Sequence, residues 1–447
     1  MPDTKLQCVL ACGNGSLKIV KFLYEHGAQE DVTATAYHNA TPLYVACQNG
    51  HLEMVQFLYE HGAKKDVTRP VNTGSTPMFK SCSKGHLEIV KFLYEHGAKE
   101  DVTRPVDTGS TPMLKACSKG HLHIVKFLYE HGAKKDTTHP NKRGHTPMYI
   151  ACRDGNLAIA QFLYEHGAQE DVTRLYNGWT PMLNACHQGH LNIVKFLYEN
   201  GAKQDINRPN KTGQTPMFGA SYSGHLEIVE FLHEHGADVT QPTNDGATPL
   251  WVSCQNGHLN ILQFLYKHGA HNDVSRQPHA RKQRSPMYKA CEKGHLTIVQ
   301  FLCKNGAAQD INHPEGSPLS KLCEKDHFEV VQWLIVQGLP SKLNVSSWLP
   351  KLNNENQMLL FEHGIKNRDV DHESFLAFMC ILKNIDRKPY RASENGNQST
   401  IPLFKISGFL IESVLLRNIS DYVQTKPNAR SLWYHIVKTW HEIHQAI

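Results

Sequence analysis

Between Thr76 and Gly85 the apolar residues are Pro77, Met78, Phe79 and Cys82, a short run bounded by turn chemistry on both sides. After Gly85 the spacing changes: Leu87, Ile89, Val90, Phe92 and Leu93 share one broad face at a period of 3.6 residues. This pattern predicts a short helix from Pro77 to about Lys84 and a second from Leu87 to about Glu95. Local chemistry sets their ends. The Thr76 hydroxyl can cap an orphan backbone N–H, and Pro77 at the first helical position gives up no hydrogen bond. Gly85 permits a tight reversal, and Gly97 takes the left-handed position after the second helix. His96 sits where the helix dipole favours positive charge. Residues 98–110, rich in Thr, Pro, Asp and Gly, read as an extended segment with a turn at 106–109.

The same reading applies down most of the chain. Thr-Pro recurs at Thr41, Thr76, Thr111, Thr146, Thr180, Thr215 and Thr248, softening to Ser-Pro at Ser285 and Ser317, with spacings of 32 to 37 residues. A fixed period in this range marks a solenoid, whose units are stable only when stacked on neighbours. The first unit has Leu6-Gln7 where Thr-Pro belongs; the tenth has Asp326-His327-Phe328 in place of Gly-His-Leu. Such divergence suits terminal caps. A trace of an eleventh unit survives at Leu359-Leu360-Phe361-Glu362-His363-Gly364.

Gly-x-Thr-Pro-Leu/Met, x-Ala-Cys-x-x-Gly-His-Leu-x-Ile-Val and Phe-Leu-x-x-His-Gly-Ala resemble the ankyrin repeat, over residues from about 6 to 341. The resemblance implies an all-α solenoid of stacked helix-turn-helix repeats with protruding β-hairpin loops. It implies short inner helices lining a concave groove, and members that bind other proteins. The units here are mostly 35 rather than 33 residues long, and the usual His after Thr-Pro-Leu is an aromatic or Leu. The domain reading is an array over 1–341, a degenerate eleventh repeat over 342–370 and a helical cap or docking segment over 371–447. Helices are expected there at about 373–383, 403–417 and 431–446.

Positions that repeat without change build the stack, so recognition is sought where the copies differ. An aromatic ladder stands two residues after each Pro: Tyr44, Phe79, Leu114, Tyr149, Leu183, Phe218, Trp251 and Tyr288. It serves either as packing between repeats or as an apolar stripe along the groove, with Trp251 the leading anchor. The next residue follows no rule: Val45, Lys80, Lys115, Ile150, Asn184, Gly219, Val252, Lys289 and Lys321. With the pairs before the inter-helix Gly, such as Ser83-Lys84 and His187-Gln188, it forms the expected specificity surface. A basic ladder (Arg69, Arg104, His139, Arg174, Arg208, Arg276 and His313) either clamps an extended acidic segment or pairs with the Asp three residues earlier.

Composition removes other classes. Nine of the 12 Cys hold one repeat position, where a small buried residue belongs, so they read as packing in a reducing, intracellular setting. Most of the 29 His fall at two repeat positions. His51-Leu52-Glu53 copies the His-x-Glu of zinc deaminases, but no Pro-Cys-x-x-Cys pair accompanies it and the fragment recurs at His86 and His225. His435, His441 and His444 lack the His-Glu-x-x-His spacing, and no phosphate loop or nucleophile elbow occurs. A net charge of +5 argues against nucleic acid, and no apolar run reaches membrane-spanning length. The expectation is a monomeric, non-enzymatic scaffold without cofactor, metal or small-molecule substrate, binding other proteins along the groove. The alternative is a substrate-recruiting adaptor, for example of a ubiquitin ligase, that docks a second protein through residues 343–447.

Overall fold

The computed structural model describes residues 4–276, 284–312, 318, 321–322, 325 and 327–337. It divides into two compact units, Met1–Pro286 and Met287–Ile447. The expected eleventh repeat and the segment 371–447 lie outside the described residues, as does His313.

The first unit is a row of helix pairs. The first helices are Thr4–Gly13, Pro42–Asn49, Pro77–Lys84, Pro112–Lys119, Pro147–Arg153, Pro181–Gln188, Pro216–Ser223 and Pro249–Asn256. Their partners are Leu17–Glu25, Leu52–Glu60, Leu87–Glu95, Leu122–Glu130, Leu157–Glu165, Leu191–Glu199, Leu226–Glu234 and Leu259–Lys267. Each Thr of the Thr-Pro motif caps its helix as expected: the Thr41 hydroxyl accepts from the Tyr44 N–H at 3.1 Å, and Thr76 from Phe79 at 3.2 Å. Successive first helices pack along their length, whereas successive second helices touch over only a few residues. The stack therefore bends toward the row of first helices.

Residues between pairs depart from the extended reading. The chain winds into a 3-10 turn, as at Ala63–Thr68 and Lys203–Asn207, before it reverses. The reason is that adjacent residues are both buried there, Asp66 with Val67 and Asp205 with Ile206. Neighbours in an extended chain point to opposite sides, so only a turn can place both inside. Beyond it the tip closes tightly, the Val71 N–H donating to the Ser75 carbonyl at 3.0 Å. Tips are tied to one another through the backbone: Asn72 donates to His38, Asp107 to Thr73 and Asn244 to Thr212. Among the described residues there is no strand, only an isolated bridge between Tyr176 and Trp179.

Two repeated contacts hold one copy to the next. The His after the inter-helix Gly reaches back one repeat. His51 Nε2 donates to the Gly13 carbonyl at 3.0 Å, His86 to Gln48 at 3.2 Å and His190 to Arg153 at 3.0 Å. Its ring lies on the Gly of the previous copy, so a Cβ at Gly85 would fall 2.7 Å from His121. Where His is replaced by Asn156, the amide donates to the Cys117 carbonyl at 2.8 Å, preserving the link.

The second contact is an aromatic zipper on the second helices. His131 Nδ1 donates to the Phe127 carbonyl at 2.7 Å and its ring stacks on Phe127, centroids 4.0 Å apart. Tyr94 of the preceding copy meets both rings edge-on, at 5.6 and 4.8 Å. The same trio forms at Tyr24, Phe57 and His61, and at Tyr198, Phe231 and His235. Phe92, expected on the buried face, is therefore only half-buried, while Ile89, Val90 and Leu93 go inside. Between the two rows lie the repeat cysteines from Cys12 to Cys254, fully buried and free. Burial pushes the Cys47, Cys82 and Cys117 thiols well above their usual range, which leaves them unreactive.

In the first pair Leu10, Ile19 and Phe22 are exposed to solvent. In the second unit, Leu296–Leu302 and Phe328–Val336 bury Ile298, Val299, Leu302, Val330, Val331 and Leu334. His327 repeats the backward link, its Nε2 donating to the Glu292 carbonyl at 3.1 Å.

Candidate partner-binding surface

The aromatic ladder does not form a surface stripe. Tyr44, Phe79, Tyr149, Phe218, Trp251 and Tyr288 are between 5% and 8% exposed. Each stands at the third helical position, where the capped turn directs its side chain along the stack and onto the next copy. Leu114 packs with Tyr149, and Phe218 with Trp251. Their polar tips are satisfied internally: Tyr44 donates to Ser75 at 3.2 Å, and the Trp251 indole N–H to the Arg284 carbonyl at 2.6 Å. Tyr149 takes a hydrogen bond from the Asn184 amide.

The basic ladder is neutralised from within. Arg69, Arg104, Arg174, Arg208 and Arg276 each point Nη1 at the Asp three residues earlier, at 3.1 to 3.5 Å. The carboxylates are buried, and desolvation raises the pKa of Asp66, Asp101, Asp171, Asp205 and Asp273 while the arginines oppose it. Arg104 and Arg208 also donate to the carbonyls of Thr68 and Thr173 in the previous copy, at 3.4 and 3.2 Å. These cations serve the turns that join one copy to the next. His139 replaces Arg in one copy. Burial pushes its partner Asp136 up to about 6, with His139 and the Thr111 hydroxyl pulling it down.

The rule-free position after the ladder is only partly open. Lys80 and Lys115 are half-buried, whereas Ile150, Asn184, Gly219 and Val252 are buried. Ile150 is covered by Tyr149 and Tyr176, and Val252 by Trp251 and Ala247. What the first helices present in their place comes from the residues before the Gly. At Lys84 and Lys119 these add exposed cations one turn beyond Lys80 and Lys115. Desolvation lowers the pKa of both Lys80 and Lys115, and neighbouring cations reinforce it: Lys84 and Lys115 act on the first, Lys119 and Arg153 on the second, where Asp154 opposes them.

Farther along the row the surface becomes aromatic. His187 stacks on Tyr222 with centroids 5.4 Å apart and planes at 22°, and Trp179 meets His187 edge-on at 5.8 Å. Tyr222 is 43% exposed. Gly219 leaves room for this group, since a Cβ there would lie 3.2 Å from Leu183 and 3.6 Å from His187. Desolvation lowers the His187 pKa, with His225 acting in the same direction, which favours the neutral, stackable ring. Trp179 and Tyr222 went unremarked in the sequence reading. The available signal was that each departs from its own column, where the other copies mostly hold small or polar residues such as Ser75, Ser110, Ser83 and Ser118.

No group of three or more His, Cys, Asp or Glu able to hold a metal occurs among the described residues, and no described helix is long and apolar enough to cross a membrane. A family model for ankyrin repeats matches residues 6–69, 66–139, 100–174, 135–208, 202–277 and 272–346. Among solved structures, the human ASB11 ankyrin repeat domain is similar at 22% identity and a TM-score of 0.43, over 51% of this chain and 98% of that chain. No curated protein matches the sequence. With the repeat model covering most of its length, the chain belongs to the ankyrin repeat family, whose repeats are protein–protein interaction modules.

Proposed function

We propose that this protein is a non-enzymatic scaffold that holds a partner protein on the row of first helices. One observation carries the reading: the side chains left open on that row (Lys80, Lys84, Lys115, Lys119, Trp179, His187 and Tyr222) differ from copy to copy and are not used up in packing. Elsewhere the repeated residues are committed to the stack. A concave row also brings several copies within reach of one ligand. Rigid aromatic groups and a charged neighbour are the makings of a binding hot spot. We place the protein inside the cell on the chemistry of its buried, free thiols.

The test compares the two faces in full-length protein. Tyr222→Ala and Lys84→Glu/Lys119→Glu alter the first-helix row, and Glu53→Lys/Glu88→Lys alters exposed positions on the second helices. Co-purifying partners identified by mass spectrometry should be lost with the first two variants and kept with the third. The opposite pattern would move the binding surface to the back of the array.

A further inference from the structure

Four lysines cluster on two neighbouring first helices, and none of them forms an internal ion pair. The comparison is Lys289, which holds the same repeat position and places Nζ 2.8 Å from Glu292. In the two lysine-bearing copies the residues equivalent to Glu292 are Ser83 and Ser118. Asp154, on the following first helix, is engaged by Arg153 at 2.7 and 3.0 Å and by the Ser118 hydroxyl at 2.9 Å. Lys80, Lys84, Lys115 and Lys119 form no ion pair with any described residue. Burial and neighbouring cations lower the pKa of Lys80 and Lys115, with Asp154 offsetting part of this at Lys115, so a carboxylate brought from outside relieves the repulsion within the cluster.

We infer that the partner presents an extended acidic segment, its carboxylates on Lys80, Lys84, Lys115 and Lys119 and a large aromatic side chain on Trp179, His187 and Tyr222. This rests on the first-helix row being the binding face. The spacing is compatible with a single short peptide. From Pro112–Lys119 to Pro181–Gln188 is two helix steps, about 16–20 Å. Extended chain rises about 3.3 Å per residue, so five or six residues span it. A phosphate backbone fits less well, because it needs a continuing basic track. Here the row passes directly to Ile150, Asp154 and Asn184.

The probe is a fluorescein-labelled peptide, Glu-Glu-Asp-Glu-Ser-Gly-Ser-Ser-Trp-Leu, titrated with full-length protein and read by anisotropy. Binding should weaken about tenfold in Lys84→Glu/Lys119→Glu, which should instead bind the peptide with four Lys in place of its acids. Tyr222→Ala should weaken it severalfold, as should replacing the peptide Trp by Ala. Both lysines are exposed, so thermal unfolding should be unchanged; if it is not, Lys84→Ser/Lys119→Ser gives the same test. Equal affinity for parent and lysine variants overturns the inference. So does tighter, lysine-dependent binding of a 12-nucleotide oligothymidylate. If the peptide fails while first-helix variants still release natural partners, only the acidic reading falls. If those partners are indifferent to the variants, the binding face itself is wrong.

Discussion

On the second helices, neighbouring copies make the same contact: Tyr94 on Phe127 and His131 is repeated as Tyr129 on Phe162 and His166. On the first helices, Lys80 and Lys115 give way to Ile150, Asn184 and Gly219, and the open surface passes from cationic to aromatic. Both rows descend from the same repeated unit, yet the second helices change less there. Asn200 stands for one His and His233 for one Tyr, and His233 still meets Phe264 and His268. The zipper needs each ring to meet a ring from the copy before it, so altering one residue disturbs two interfaces. An exposed Lys84 has no such obligation. Sequence variation is therefore a guide to function only after burial has been taken into account, because Ile150 and Val252 vary and are nevertheless buried.

The sharpest way to break this contrast is Trp251→Ala. If Trp251 belongs to the packed interior, the loss is about 3–5 kcal/mol in urea unfolding. A variant as stable as its parent would return the aromatic ladder to the surface. Next in size is a pair of glycines. Gly85→Ala brings a methyl onto the His121 ring at φ +89 and should cost about 2–4 kcal/mol, whereas Gly97→Ala, at φ +112 with open space around it, should cost about 1–2 kcal/mol. Their difference isolates the contact between copies from the backbone strain common to both. Equal losses would show that the His contact contributes nothing.

A smaller effect comes from the copy in which His139 stands for Arg. The Asp136 carboxyl is raised from an unfolded value of 3.8 to about 6. Its contribution to stability is thus fully present below pH 3.8 and is lost as pH rises through 6. The stability difference between parent and Asp136→Asn should drift by roughly 1–3 kcal/mol between pH 4 and 7, favouring the variant at the higher pH. A flat difference would mean that the buried carboxylate is better compensated than its surroundings indicate. The smallest change is expected for Tyr222→Ala, within about 0.5 kcal/mol of the parent by thermal unfolding, because it is exposed on the open row. Trp251 and Tyr222, similar in chemistry, should therefore separate cleanly: one is needed for stability, the other for binding.

Much of this is legible in the sequence. The bounds Pro77–Lys84 and Leu87–Glu95 follow from the Thr cap, the Pro and the two glycines. The structural character of the repeated Cys and His follows from their recurrence. What escaped was the direction of the ladder side chains and the trio at Trp179, His187 and Tyr222. Trp179 and Tyr222 lie on either side of a whole helix pair in the chain, and only stacking brings them to one ring. The extended reading of residues 98–110 missed the 3-10 turn at Glu100–Val102 because composition reports polarity but not that Asp101 and Val102 both turn inward.

By itself the sequence determined the period, the helix pairs and their caps, since hydrogen bonds and backbone preferences within four or five residues are enough to set them. Only the tertiary structure decided which variable positions are open and which ladder side chains are buried against the next copy. Those questions turn on residues about 35 positions away in the chain, which the stack places side by side.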